Sequence, residues 1–588
     1  MKTEIHKRIY IEKKNDKKSM VSEKLENLLH MSLTVEENER LRSDALRIGY
    51  SPEEKSWEVI VKYHGDLQQY ESERINIELL IAGYAIVSLP ESDLEWFTEL
   101  PQVEYIEKPK AFYANVYRAK EASCILPVTT GRSPVLSGEG LRGSGVLIAV
   151  IDSGIDFYRE DFIGKNGSRI LFLWDQELDA EYTKADMDRA INSDEGNGIR
   201  HQDVTGHGTA VAGIAAGSSS NPLYQGVASE AEFIVVKLGQ ADSSGFPGTV
   251  ELMRGITYAV KKAMELEMPL VINLSYGNSY GSHEGTSLLE RFLDNAGEMG
   301  RTVVCVGSGN EGDAAGHVGG NVLSENKVEL AIGEYETSVN VQLWKRYADR
   351  IELSLTAPDG KTYGINLSTD GLQTIDTDYE KVLVFVGTPL PYDVNQEIFF
   401  VFLPKGAFLT SGIWNIGMQP ERVVNGEYQM YLPGREVRSE DTRFLQSNPY
   451  GTLTIPSTAQ KVVTVGAYDV RQNSYADFSG RGYPFFSADA YLYLGQKPDI
   501  VAPGVDILAP FGREEYLPVT GTSFATPIVA GSCALLMEWG IIRGNDPYLY
   551  GEKIKAYLQR GAKQFGGFSI WPNPYVGWGK LCLEDSLP

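Results

Sequence analysis

Cysteine is scarce in this 588-residue chain. Its four cysteines, Cys124, Cys305, Cys533 and Cys582, are widely spaced, and none form the paired ligand pattern of a zinc or iron–sulfur site. A cysteine-built metal centre is therefore excluded. Cys305 and Cys533 sit in apolar runs and are expected as buried free thiols, which suits a reducing, intracellular origin. The first residues, MKTEIHKRIYIEKKNDKKSM, contain no apolar core segment and so lack the pattern of a secretory signal. No apolar run approaches the length needed to cross a bilayer. We expect a cytoplasmic protein. Positive charge is also in short supply, with 54 basic against 79 acidic residues and a net charge of −25. That balance argues against nucleic acid as a main partner and against an anionic membrane surface.

What is present is the composition of a globular chain, 42% hydrophobic and 23% charged, long enough for two to four domains. Residues 1–50 are charged, with one helical stretch near Val21–Met31, and are read as an N-terminal extension. In residues 51–115, WEVIVKYHG and YAIVSLP alternate like strands. ESDLEWFTELP has helical spacing and VEYIEKP closes the unit, so a small α+β domain is expected. Near-continuous apolar runs then appear at 146–152, 233–239, 269–277, 302–309 and 461–469, with helical stretches between several of them. Leu252, Ile256, Ala259, Val260 and Ala263 mark one helical face. Strands buried on both faces and alternating with helices imply an α/β domain on a parallel sheet, over residues 116–324 and 451–588. Between its halves, residues 325–450 read as short strands and turns, an inserted β-sandwich of jelly-roll type.

Three strings carry chemistry. Asp152 ends VLIAVID and is followed by Ser153, whose hydroxyl is expected to bond the carboxylate and keep it ionised. His207, in GHGTAVAG, opens a helix of small residues, and its glycines permit close approach of other backbone. Ser523, in GTSFATP, opens a second such helix, with Pro527 expected in the first turn. An acid, a base and a nucleophile in this chain order are a recurring triad arrangement. Asn310, in VGSGNEGD after a buried strand, is placed to supply an oxyanion-stabilising amide beside the Ser523 backbone N–H. Each residue alone has a plainer reading, as a turn aspartate, a structural histidine, a helix cap or a turn asparagine. Their joint strings set those readings aside. His201, His283 and His317 lack such settings and are read as surface or loop histidines.

On these strings the chain resembles the subtilases, the subtilisin-type serine endopeptidases, over roughly residues 140–325 and 450–582. The resemblance implies an α/β fold with helices on both faces of a parallel sheet. It implies Asp152, His207 and Ser523 as the triad and Asn310 as the oxyanion residue. Ser275, Tyr276 and Gly277 match the segment lining the specificity pocket, and Ser243, Ser244 and Gly245 match the strand opposite. A substrate peptide would lie extended between them. The unit at 51–115 resembles a subtilase prodomain, which implies self-cleavage near Asn115 and a cleaved prodomain that stays bound. The chemistry requires no cofactor and no metal takes part in it. Subtilases often hold a structural calcium where Asp161 and the loop near Asn221 stand, but this loop lacks a dense set of oxygen ligands.

The N-terminal domain and the inserted sandwich resemble the Csp germination proteases of spore-forming clostridia. That resemblance implies a protein packaged in the spore whose substrate is the precursor of a cortex-lytic enzyme. Two other readings stand beside it: an intracellular subtilase with another protein substrate, and a non-catalytic germination sensor or scaffold on the same fold.

Overall fold

The five apolar runs form adjacent strands of one sheet. A computed structural model describes residues 23–588 apart from 42, 111–112, 115–118, 137, 194–197, 222–223, 241–246, 484–495 and 514. Its central sheet has nine strands. From one side, seven run parallel in the order Ile170–Asp175, Glu232–Lys237, Leu147–Asp152, Leu270–Leu274, Thr302–Gly307, Val463–Asp469 and Ile500–Pro503. Short antiparallel strands, Ala180–Thr183 and Ser474–Tyr475, join it at its margins. Every residue of Leu147–Asp152, Leu270–Leu274 and Thr302–Gly307 is buried, as strands covered on both faces should be.

The covers differ in kind. One face carries His207–Ala216 and Thr522–Met537, two helices of mostly small residues that cross closely. A Cβ on Gly531 would lie 2.6 Å from the Ala215 carbonyl oxygen. The other face carries the amphipathic helices Thr249–Glu265 and Leu288–Ala296. The stretch Thr522–Ile542 is 21 residues and apolar enough to span a bilayer, contrary to the expectation from sequence, but most of it is buried in the core of the protein.

The N-terminal unit is a five-stranded antiparallel sheet drawn from Tyr50–Glu107. One face, with Ile60, Tyr84, Ile86 and Tyr105, packs on the two amphipathic helices, and Arg254 bridges to Glu58 and Glu78 at 2.7 and 2.5 Å. The helical stretch expected in the extension is Asn27–Thr34, and it is integral rather than peripheral. Leu25 and Leu29 enter the core of the N-terminal unit, while Leu28 and Met31 pack on Phe385, Phe399 and Leu403 of the insert.

The insert is a sandwich of six-stranded and five-stranded antiparallel sheets. It begins at His317, earlier than expected, and its last strand is Arg443–Phe444. The histidines read as surface or loop residues are buried. His283 and His317 stack on Tyr431 with ring centroids 3.8 and 4.6 Å away. Burial lowers both pKa values, that of His283 to about 4, and the neutral His283 ring ties the α/β unit to Tyr431 of the sandwich.

Cys305 and Cys533 are free and buried as expected, with Sγ atoms 3.8 Å apart. Cys124 and Cys582 form a disulfide across 458 residues of sequence. That bond is at odds with the reducing origin inferred from cysteine spacing. Denatured without reductant, the protein is expected to take up two alkyl groups per chain, and four after reduction. Four before reduction would show that the bond does not form.

Candidate functional site

Three adjacent strands end at one edge of the sheet and deliver Asp152, Ser275 and Asn310 there. The two small-residue helices start at the same edge with His207 and Thr522–Ser523. Ligand sites in α/β folds lie outside the carboxyl ends of strands. Asp152 Oδ1 lies 2.6 Å from His207 Nδ1 and accepts the Ser153 backbone N–H at 2.7 Å. The Ser153 hydroxyl does not bond Asp152, as the sequence had suggested. It donates to Asp203 Oδ1 at 2.8 Å and accepts the Gly208 N–H at 2.9 Å.

Asp203 had no mark in the sequence beyond standing four residues before His207. It accepts from Gly206 N and from both the amide and hydroxyl of Thr209, and so caps the His207 helix. Gly208 makes the approach possible, because a Cβ there would sit 2.2 Å from the Gly154 carbonyl oxygen. His201, buried at 2.7 Å from Asp175 Oδ2, braces the turn after Asp152 through its bond with Ile155 N. Phe524 stacks on the His207 ring at 4.9 Å. The Tyr276 hydroxyl is 3.5 Å from Asp152 Oδ1, and burial with that carboxylate beside it pushes the phenol pKa well up.

Ser523 and Ser275 clasp each other. Ser523 Oγ donates to the Ser275 carbonyl at 3.0 Å and Ser275 Oγ donates to the Ser523 carbonyl at 2.5 Å. Pro527 lies in the second turn of the helix, not the first. It lacks the N–H that would bond the carbonyl four residues back, and this leaves the Ser523 carbonyl for Ser275. Asn310 is oriented by the same helix: its Oδ1 accepts Thr522 N at 3.0 Å and Thr522 Oγ1 at 3.2 Å. With the carbonyl arm held, the amide N–H groups are the arm left for the cleft.

Ser275, Tyr276, Gly277, Asn310 and Ser523 line one pocket. Ser243, Ser244 and Gly245 lie outside the described residues, as does Asn115. Just before Asn115, Tyr113–Ala114 pairs antiparallel with Tyr276–Gly277. The chain's own segment thus occupies the backbone edge beside Ser523 that an extended peptide would use.

The expected calcium position has other occupants. Asp161, fully buried, accepts Arg159 Nε at 2.8 Å on one oxygen and the Tyr516 hydroxyl at 2.6 Å on the other. Tyr516 stacks between Arg159 and Tyr224. A guanidinium supplies the charge a cation would bring, so among the described residues the donor set does not fit calcium. Chelator is expected to leave the melting temperature unchanged. Arg159→Ala should lower stability by about 3–5 kcal/mol, since it strands a buried carboxylate. A chelator-induced fall in melting temperature would reverse this assignment.

A model of the subtilase family matches residues 143–383 and 440–579. A model of the Csp protease B prodomain matches residues 23–110, taking in the helix Asn27–Thr34. The solved structure of the Clostridium perfringens CspB protease is similar at a TM-score of 0.73 and 35% sequence identity, covering 79% of this chain and 96% of that one. The minor extracellular protease Vpr of Bacillus subtilis (strain 168) is 24% identical over 530 residues, 83% of this chain and 59% of Vpr. A PII-type proteinase of Lactococcus lactis subsp. cremoris is 23% identical over 519 residues, 79% of this chain and 26% of that protein. The chain thus spans less than two thirds of the length of these two relatives.

Proposed function

Because the chain belongs to the subtilase family of serine endopeptidases, close to the Csp proteases, we propose that it cleaves its own prodomain near Asn115 and then activates a cortex-lytic enzyme precursor by limited proteolysis during spore germination. The pairing of Tyr113–Ala114 with Tyr276–Gly277 is the observation that carries the first step. It supports a cleft threaded by the chain's own backbone on the way to the bond cut.

In this reading Ser523 Oγ turns from the Ser275 carbonyl toward His207, which takes its proton as Oγ attacks the peptide carbonyl. Asp152 holds the imidazole tautomer that accepts the proton at Nε2 and stabilises the imidazolium that forms. The Asn310 amide and the Ser523 N–H hold the oxyanion, and such a donor is worth about 10²–10³ in rate. The imidazolium of His207 gives that proton to the leaving amine as the C–N bond breaks, and the acyl-enzyme then yields to water with His207 as base. A prodomain and a sandwich packed on one another around this cleft support a processing enzyme with few substrates over a degradative one.

The test has two parts. A serine-directed phosphonate is added to the purified chain, and a recombinant cortex-lytic precursor is incubated with it and its new termini sequenced. Labelling of Ser523 and one cut in the precursor are expected. Labelling without a cut would point to another protein substrate, and absence of labelling to a non-catalytic scaffold.

A further inference from the structure

Three connections cross between the two sheets of the sandwich at one end. They join Lys327–Ile332 to Val339–Arg346, Asn395–Pro404 to Gly412–Arg422, and Glu427–Tyr431 to Arg443–Phe444. Buried Glu336 ties them together. Its carboxylate accepts Ser439 N at 2.7 Å and Thr442 Oγ1 at 2.5 Å, and its carbonyl accepts Leu409 N at 2.8 Å. The third connection is also fixed to the segment after Asn310. Arg435 N donates to Glu311 Oε1 at 3.1 Å, and Arg438 donates to the Ala314 carbonyl at 2.6 Å. This seam brings Gly434 and Glu436 into the pocket that Ser523 and Asn310 line. The cleft is thus close to this end of the insert: from Glu436 to Ser439 is at most about 11 Å of chain.

The surface of this end is aromatic where solvated loops need not be. Tyr335 is 73% exposed and Phe408 48%, and their rings meet edge to face with centroids 5.5 Å apart. Tyr379, 64% exposed, lies on the next turn, where its carbonyl accepts Lys405 N at 2.9 Å. Tyr335 holds a φ of +66°, which bulky side chains rarely adopt and glycine enters freely. A tyrosine kept there gains little burial, so packing does not account for it. The same connections carry Glu334, Glu440 and Asp441, all exposed and none in an ion pair among the described residues. Of the bases here, Lys405 pairs with Asp376, Arg435 pairs with Asp313, and Arg438 is held by carbonyls, which leaves Arg443. Exposed aromatic faces beside unpaired carboxylates favour cations, because the rings and the acids attract the same charge.

We propose that this end of the insert is a second contact surface for the protein substrate, remote from the scissile bond. It takes a segment rich in lysine or arginine, whose cations lie over Tyr335 and Phe408 and against Glu334, Glu440 and Asp441. Fixed to the return loop, the surface keeps a bound chain within reach of the cleft and raises the effective concentration of the bond to be cut. The inference rests on the proteolytic reading of Ser523.

The full chain is compared with a variant carrying Tyr335→Gly and Phe408→Ala, and with one carrying Glu334→Gln, Glu440→Gln and Asp441→Asn. Each is given the cortex-lytic precursor and a short peptide spanning the same cut. Active sites are first counted with the phosphonate, and a thermal melt checks each fold. Both rings are exposed and glycine accepts the φ of residue 335, so the melting temperature should hold. The aromatic variant should raise KM for the precursor about tenfold, as expected for two lost cation–π contacts, and leave kcat and both peptide constants unchanged. In the wild type, KM for the precursor should climb with salt, while in the acid-free variant it should start high and stay level. Precursor constants that neither variant moves overturn the inference alone. An equal loss on precursor and peptide does so too, because the change then acts through the cleft. An enzyme that fails to label, or that labels and leaves the precursor whole, overturns the proposed function and this inference with it.

Discussion

The Ser523→Ala chain is expected as a single full-length polypeptide, while the wild type is recovered in two pieces cut near Asn115. The nucleophile is one oxygen, and removing it from a triad lowers turnover by roughly 10⁶. The fold should barely notice. Ser523 Oγ donates to the Ser275 carbonyl, while the Ser523 carbonyl keeps its bond from Ser275 Oγ. One hydrogen bond of this kind is worth about 1 kcal/mol. Intact mass with a thermal melt therefore separates chemistry from folding. A full-length mass with an unchanged melting temperature is the expected pair for the variant. Cleavage at the same bond in Ser523→Ala would falsify self-processing by this site, and so would an uncut wild type.

The elements that carry this prediction were legible because they are local. VLIAVID, PLVINLSYG and TVVCVGSG announce strands buried on both faces, and their ends hold Asp152, Ser275 and Asn310. The glycines and alanines of GHGTAVAG and GTSFATP announce helices that approach other backbone closely. What escaped the sequence depends on pairings between distant segments. Asp203 acts through Ser153 and the His207 helix, yet its local pattern is that of an ordinary loop aspartate. The Cys124–Cys582 bond spans 458 residues, so no spacing rule could propose it. His283 and His317 lack apolar periodicity around them and are buried by stacking on Tyr431, which belongs to the insert. Glu436 reaches the cleft only because a loop of one domain lies along a loop of another. Periodicity reports which face of an element is buried, and it is silent about which element buries it.

Replacing Lys110 should release the prodomain after cleavage. Lys110 Nζ sits 2.7 Å from Glu26 and 2.6 Å from Glu107, and all three are buried. Glu107 also accepts the first N–H of the helix Leu288–Ala296, Glu26 accepts Lys108 N, and Lys110 N donates to Thr249. Burial alone would strip the ammonium of its charge, but Glu107 and Glu26 outweigh it and hold its pKa well above the usual lysine range. Glu397 of the insert faces the same cluster, where burial and then Glu26 push its carboxyl up to about 8. Lys110→Met leaves these acids without their cation, a change that costs about 3–5 kcal/mol for a broken buried pair. In affinity that is roughly 10²–10⁴-fold weaker retention of the cleaved prodomain. Size-exclusion chromatography of the processed protein should show the fragments together in the wild type and apart in the variant. The triple change Lys110→Met, Glu26→Gln, Glu107→Gln should recover much of the loss, because it removes the stranded charges as well. Glu397 adds a pH dependence of known sign. In the assembled state it keeps a proton that it gives up when exposed, so retention weakens as pH rises from the ordinary glutamate range to about 8, and levels off above. Glu26, Glu107 and Asp393 share that environment, and Lys110 stays charged throughout the window. Co-elution of the Lys110→Met fragments at every pH would mean that apolar contacts, such as those of Leu28 and Met31 on the insert, hold the prodomain without help from this cluster.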